Sequence, residues 1–161
     1  MTETSKIKER VISKEKAVFW MDKHGRWCNA HGPFEHIKII QYFNKSICRD
    51  ESGYFVAQEY NGQREKVYFK YHITPLFALD IIEPPPRRLL LNTGRTIEFN
   101  IQNLFVMGDQ LYIDCRGEWI KFSERVLLKL ADQLKIEDEV YFIQIEGVWR
   151  PIREIRQLPE T

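Results

Sequence analysis

The chain has 161 residues, 43% hydrophobic and 13% aromatic, with 24 Lys and Arg against 23 Asp and Glu and a net charge of +1. That suffices for one ordinary domain or two small ones with an apolar core, and it excludes a mainly disordered chain. The charge balance speaks against a dedicated nucleic-acid-binding module and against a strongly cationic membrane-surface protein.

No apolar run approaches the roughly 20 residues that span a bilayer, so no membrane partner is expected. Cys28, Cys48 and Cys115 are odd in number and far apart, and the first 17 residues are rich in Lys and Glu rather than apolar. These features predict a cytoplasmic protein with free thiols.

In chain order, residues 1–17 read as a charged N-terminal helical segment with a thin stripe of Ile7 and Val11. Val18–Asp22 and Gly25–Cys28 predict short strands. Gly32-Pro33 opens a predicted helix in which Phe34, Ile37, Ile40, Phe43 and Ile47 recur at three- and four-residue steps, one buried face about four turns long. Tyr54–Tyr60 and Gln63–Tyr71 flank Asn61-Gly62, a strong hairpin signal because a type I′ turn needs positive φ at both positions. Phe77–Ile82 predicts a further strand that runs into Pro84-Pro85-Pro86. The proline stretch, 84–88, is the expected boundary between a first unit (18–83) and a second (89–153).

In the second unit, hairpins are predicted about Thr93-Gly94, Gly108-Asp109 and Glu146-Gly147. They surround a helix that Ser123 caps, with a stripe of Leu127, Leu130, Ala131 and Leu134. Residues 154–161 read as a loose tail.

The two helices echo each other. Ile39, Ile40, Phe43 and Ile47 fall on Val126, Leu127, Leu130 and Leu134 after a shift of 87 positions, and Tyr54-Phe55 fall on Tyr141-Phe142. The expected fold class is α+β: duplicated units, each a helix with an antiparallel sheet.

Chemistry-bearing motifs are sparse. His24, Cys28, His31 and His36 lie within 13 residues. Zinc sites of Cys-x-x-His spacing pair with a second such couple, so no metal is expected. The sequence lacks Gly-x-Ser-x-Gly, Gly-x-Gly-x-x-Gly and a Walker-type loop, and the acid pairs Asp50-Glu51 and Asp138-Glu139 read as solvated loop charge. No catalytic residue and no cofactor is assigned, and an enzyme is not the expected class.

Two constellations suit an anion. Along Gln63–His72, alternation puts Arg64, Lys66, Tyr68, Lys70 and His72 on one face, a charged aromatic surface able to hold a phosphate-bearing ligand. The plain reading of that face is ordinary solvent-exposed sheet. Arg116, Trp119 and Arg125 form the second, with Arg125 in the first turn of a helix, where a nearby anion or carboxylate would compensate it. The candidate ligand-binding residues are therefore Lys66, Tyr68, His72, Arg116, Trp119 and Arg125. The competing reading is a protein-interaction module without a small ligand, which leaves a homodimer open.

The order of several short motifs resembles the bacterial domain of unknown function 1285 family. They are Gly25-Arg26-Trp27, the helix from Gly32 to Ile47, Asp50–Phe55, Glu65-Lys66-Val67, Tyr112–Gly117, a helix carrying Arg125, Leu130 and Ala131, and Gly147-Val148-Trp149. The resemblance spans Val18 to Ile152. Where that family carries an acidic Val-Glu-Asp-Ala-Pro-Phe segment, this chain has Tyr71–Leu76, which keeps Pro75 and loses the acids. The resemblance implies a duplicated helix-plus-sheet core whose second half is similar to a pleckstrin-homology barrel. It also implies a ligand, nucleotide-like, held where the halves meet, with a role in signalling and no established enzymatic activity.

Overall fold

The computed structural model describes residues 8–156. The chain divides into two compact units, Met1–Pro75 and Leu76–Thr161. Among the described residues half are in strands and 15% in helices, an α+β fold dominated by β-structure. No helix among the described residues is long and apolar enough to cross a membrane.

The first unit contains β1 (Glu9–Ile12), β2 (Phe19–Met21), β3 (Trp27–Asn29), β4 (Gly32–Pro33), helix α1 (Ile37–Lys45), β5 (Ile47–Asp50), β6 (Gly53–Tyr60) and β7 (Gln63–Tyr68). One sheet has the order β1-β7-β6-β5 and a small one the order β2-β3-β4. The β6–β7 hairpin turns at Asn61 and Gly62, with φ of 49° and 73°, as the Asn-Gly signal predicts.

Two expectations fail in this unit. The helical segment expected over residues 1–17 is, in its described part, strand β1 followed by a turn at 14–16, and β1 pairs in parallel with β7 (Glu9↔Arg64 through Ile12↔Val67). An open sheet edge and the Lys66–Glu9 ion pair at 3.1 Å outweigh the helical pattern of a charged segment. Residues 1–7 lie outside the described residues. The helix expected over 32–47 is only nine residues long. Gly32-Pro33 pairs with Cys28 and Asn29, and Ile47 opens β5. The apolar stripe is thus divided among the loop at Phe34, α1 and β5, and α1 has no fully buried residue.

What holds α1 is aromatic. Phe43 packs against Phe19 (5.0 Å between ring centroids), Phe34 (5.2 Å) and Trp27 (5.3 Å). Trp27 is 1% exposed, lies 4.8 Å from Phe69, and its Nε1–H donates to Asn44 Oδ1 at 2.7 Å. Offset and edge-to-face ring contacts add about 0.5–1.5 kcal/mol each beyond area burial.

The second unit contains β8 (Phe77–Ile82), β9 (Arg88–Leu91), β10 (Thr96–Glu98), β11 (Leu104–Met107), β12 (Gln110–Cys115), β13 (Glu118–Phe122), helix α2 (Glu124–Leu130), β14 (Leu134–Glu137), β15 (Val140–Ile145) and β16 (Val148–Glu154). These form one nine-stranded sheet in the order β10-β9-β8-β13-β12-β11-β16-β15-β14. It consists of three successive antiparallel meanders. The first strand of one pairs in parallel with the last strand of the next, β8 with β13 and β11 with β16. The sheet is therefore mixed rather than antiparallel, and open, with β10 and β14 at its edges.

Leu89, Leu104, Phe105, Ile113, Ile120, Val126, Leu130 and Ile143 are among its fully buried side chains. Ser123 caps α2 as expected, its Oγ accepting from Val126 N–H at 3.3 Å.

The units divide at Pro75 and Leu76 rather than at the proline stretch 84–88. The reason is β8, expected in the first unit, whose neighbours β9 and β13 belong to the second. The expected loose tail begins later than 154. Val106 pairs with Glu154, and Ile155 N–H donates to Val106 carbonyl oxygen at 2.8 Å. Residues 157–161 lie outside the described residues.

A 30-residue period escapes the sequence reading. The 3-10 turns Ile101–Asn103 and Ala131–Gln133, strands β11 and β14, and strands β12 and β15 are each 30 positions apart. Leu104↔Ile113 corresponds to Leu134↔Ile143, and Tyr112↔Lys121 to Phe142↔Pro151. Positive φ recurs at Gly108 and Asp109 and again at Asp138 and Glu139, then at Arg116 and Gly117 and again at Glu146 and Gly147. At the 87-position offset of the sequence echo lie α1 with β5–β6 and α2 with β14–β15. Ile47↔Val56 in one ladder matches Leu134↔Ile143 in the other.

Candidate functional site

Pairing between β1 and β7 places residues Ser13–Ala17 beyond the end of β7. There Lys16 and Ala17 N–H both donate to Ser13 carbonyl oxygen and close a turn. The β5–β6 turn is fixed by Asp50, whose Oδ1 accepts from Ser52 N–H at 2.9 Å. Gly53, at φ +121°, occupies a backbone region that side-chain-bearing residues avoid. Met21 N–H donates to Lys70 carbonyl oxygen at 2.9 Å and holds the segment that follows β7 against β2.

These three segments enclose a groove of about 570 Å³ lined by Val11, Ser13, Lys14, Glu15, Ser52, Gly53, Tyr54, Tyr68, Phe69, Lys70 and Tyr71. A second groove of about 500 Å³ shares Lys14, Glu15, Lys70 and Tyr71 with it and adds Trp20 and His72. Both volumes fall in the usual range for small-molecule sites, about 300–1,000 Å³.

The chemistry of the wall is aromatic and hydroxylic. Tyr54 and Tyr71 meet edge to face at 5.7 Å, and Phe69 lies 5.6 Å from Tyr71. Burial pushes the Tyr71 hydroxyl above its ordinary pKa, so it stays a neutral donor. Tyr68 Oη donates to Asp50 Oδ2 at 2.6 Å, and Lys66 Nζ reaches the same oxygen at 3.3 Å. The Tyr68 bond holds the Asp50 carboxyl below the usual range and the Asp50 acceptor raises Tyr68. The bond to Glu9, with that to Asp50, raises Lys66.

Lys66, expected to supply charge, is therefore matched by Glu9 and Asp50 and covers the Phe55 ring at 4.9 Å. Lys14 and Lys70, both exposed, make no ion pair among the described residues. With Glu15, the groove carries two cations against one acid.

Tyr68 and His72 thus come together with the pair of grooves, and Lys66 stands beside them. Arg116, Trp119 and Arg125 are elsewhere, in the second unit. Arg116 occupies the β12–β13 turn at φ 53°, and Trp119 packs edge to face on Phe105 at 5.3 Å. Arg125 Nη2 lies 3.6 Å from Asp80 Oδ2. Arg116 precedes β13 and Arg125 follows it, and Arg125 is engaged by Asp80. Lys129 also bonds Asp80, and that bond, with the Ile81 N–H and the charge of Arg125, holds Asp80 below the usual carboxylate range. Asp80 is the carboxylate that answers the unfavourable position of Arg125 on α2.

Cys28 is buried, and its thiol contacts the Arg26 carbonyl oxygen at 3.6 Å. Among the described residues no three His, Cys, Asp or Glu side chains converge on a metal position. Sequence reasoning missed Lys14 as a lining residue. Its only signal was the position of β1, which depends on a partner strand more than fifty residues away.

No family model matches the sequence, and no curated protein matches it. Two solved structures are similar. A DUF1285 family protein from Silicibacter pomeroyi DSS-3 is 14% identical and superposes with a TM-score of 0.56, over 90% of this chain and 82% of that one. A DUF1285 family protein from Shewanella baltica OS155 is 17% identical, with a TM-score of 0.50 over 71% of this chain and 91% of that one. At these identities the likeness is one of fold: this chain has a DUF1285-like fold, the family whose motif order its sequence resembles.

Proposed function

We propose that this protein is a non-enzymatic, regulatory binding module whose first unit holds a small anionic, ring-bearing ligand of the nucleotide class. The ligand sits in the groove lined by Lys14, Ser52, Tyr54, Tyr68, Lys70 and Tyr71. The observation that carries the reading is a pair of cations, Lys14 and Lys70, that make no ion pair among the described residues and stand beside a wall of tyrosines. Lys66, by contrast, is matched by Glu9 and Asp50, and Arg125 and Lys129 share Asp80. Ammonium groups and neutral hydroxyls suit phosphate oxygens, and tyrosine faces suit a planar base.

The cytoplasm is the compartment this reading assumes, in keeping with three free cysteines. We further read the two helix-plus-meander segments 87 positions apart as an internal duplication, supported by their matching ladder register.

A thermal-shift panel of nucleoside mono- and diphosphates, with inorganic phosphate as the ring-free control, tests the proposal. A ligand at 100 times its Kd adds about 2.7 kcal/mol of stability. Lys70→Glu should abolish the shift and Arg125→Ala should leave it intact. A panel without response, or a response that Lys70→Glu does not change, overturns the reading.

A further inference from the structure

We propose that β14 is a self-association edge: two copies of the chain join their β14 strands antiparallel about Ile136, continuing the nine-stranded sheet across a twofold axis. Among the described residues β14 pairs with β15 alone and ends the sheet. The strand that corresponds to it 30 residues earlier, β11, has its outer edge bonded by β16. Of this repeated strand, the copy at β14 is the one whose edge is bare among the described residues.

The hydrogen-bonding phase is set by the turn. Asp138 and Glu139, at φ of 51° and 65°, form a two-residue hairpin loop, which makes Glu137↔Val140 the hydrogen-bonded pair beside it. Bonded and non-bonded pairs alternate along an antiparallel ladder, so Lys135↔Phe142 is the next bonded pair. Leu134 and Ile136 then turn their N–H and C=O groups to the open edge.

A symmetric antiparallel partner that uses those groups can be centred on residue 135, 136 or 137. Centring on 135 sets Lys135 against Lys135, and centring on 137 sets Glu137 against Glu137. Centring on Ile136 sets Lys135 against the partner's Glu137 twice over. Opposite charges directly across a ladder are favourable and like charges are not, so charge selects one register.

The apolar side agrees. Ile136 is 64% exposed and shares a sheet face with Leu134, beside a groove of about 440 Å³ to which Val106, Leu111, Leu127 and Ile152 contribute. In the selected register the partner's Ile136 stands across from Ile136 on that face and covers it. The other edge of the sheet, β10, has only three residues and no such alternation of opposite charges.

Sedimentation velocity on the full chain, from micromolar to millimolar concentration, tests this. The expected result is a concentration-dependent dimer of micromolar or weaker Kd, as suits a short interface. Glu137→Lys should weaken it at least tenfold, and Lys135→Glu combined with Glu137→Lys should restore it. Glu137 is exposed, so the single variant keeps the fold, which circular dichroism checks. A monomer at every concentration overturns the proposal and leaves the edge to an extended segment of a different protein. So does a dimer that Glu137→Lys leaves unchanged, or a double exchange that fails to restore association.

Discussion

Asn44→Ala should release helix α1 from the first unit. The helix has nine residues, below the roughly 12–15 at which isolated helices persist in water, and none of them is fully buried. Its attachment rests on the Phe43 ring contacts and on the bond from Trp27 Nε1 to Asn44 Oδ1. Removing the acceptor leaves the indole N–H of a residue 1% exposed without its partner. Such a loss costs about 1–3 kcal/mol, and the better helix propensity of Ala returns about 0.5 kcal/mol, so the net cost is about 0.5–2.5 kcal/mol.

Hydrogen exchange reads this locally. The Ile40 amide donates to His36 carbonyl oxygen and the Ser46 amide to Tyr42 and Phe43 carbonyl oxygens, so both report on the helix. Their protection should fall about 2- to 70-fold, while amides of the β12–β13 ladder hold theirs. Trp27→Phe removes the donor, so Asn44→Ala made in that background should cost about 1 kcal/mol less than in the wild type. Equal costs in the two backgrounds, or unchanged protection at Ile40 and Ser46, would refute the reasoning.

Tyr141 Oη donates to Asp109 Oδ1 at 2.5 Å, and this bond pushes the phenol up to about 12. A pKa raised on folding gives a stabilising contribution present below the ordinary value of 10.0 and lost as pH rises through about 12. The difference in phenolate absorbance between wild type and Tyr141→Phe should therefore appear near pH 12, and near the ordinary value in an Asp109→Ala background. A transition at the ordinary value in the wild type contradicts the bond. Asp80 carries the opposite sign. Its carboxyl is held below 3.8, so its contribution is present above that pH and lost as pH falls through the lowered value. Acid-unfolding curves of wild type and Asp80→Asn should converge at low pH, and a constant gap between them would exclude the Lys129 and Arg125 pairing.

How legible the fold was depends on how local its cause is. The turns at Asn61-Gly62, Gly108-Asp109 and Glu146-Gly147 were readable because left-handed backbone there selects particular residues. Ser123 was readable as a cap because its partner, Val126, is three residues on. Segment 9–12 reads as helix from its sequence because a charged stretch with one apolar residue per turn, Ile7 then Val11, suits a helix until a parallel strand is offered. The stripe from Phe34 to Ile47 was overextended because strands use apolar residues too, and Ile47 belongs to one.

The site was the least legible part. Alternation put Tyr68 and Lys70 on one face, but nothing local brings Lys14 beside them. Nothing local says that Lys66 is matched by Glu9, or Arg125 by Asp80, and so unavailable to a ligand.

Amide chemical-shift mapping with a responding nucleoside phosphate tests the central claim most directly. Binding in the tyrosine-lined groove predicts that shifts cluster at Ser13–Glu15, Ser52–Tyr54 and Tyr68–Tyr71, and that a Lys14→Glu and Lys70→Glu double variant loses them. Shifts confined to residues of Leu76–Thr161, or undiminished in the double variant, would contradict it.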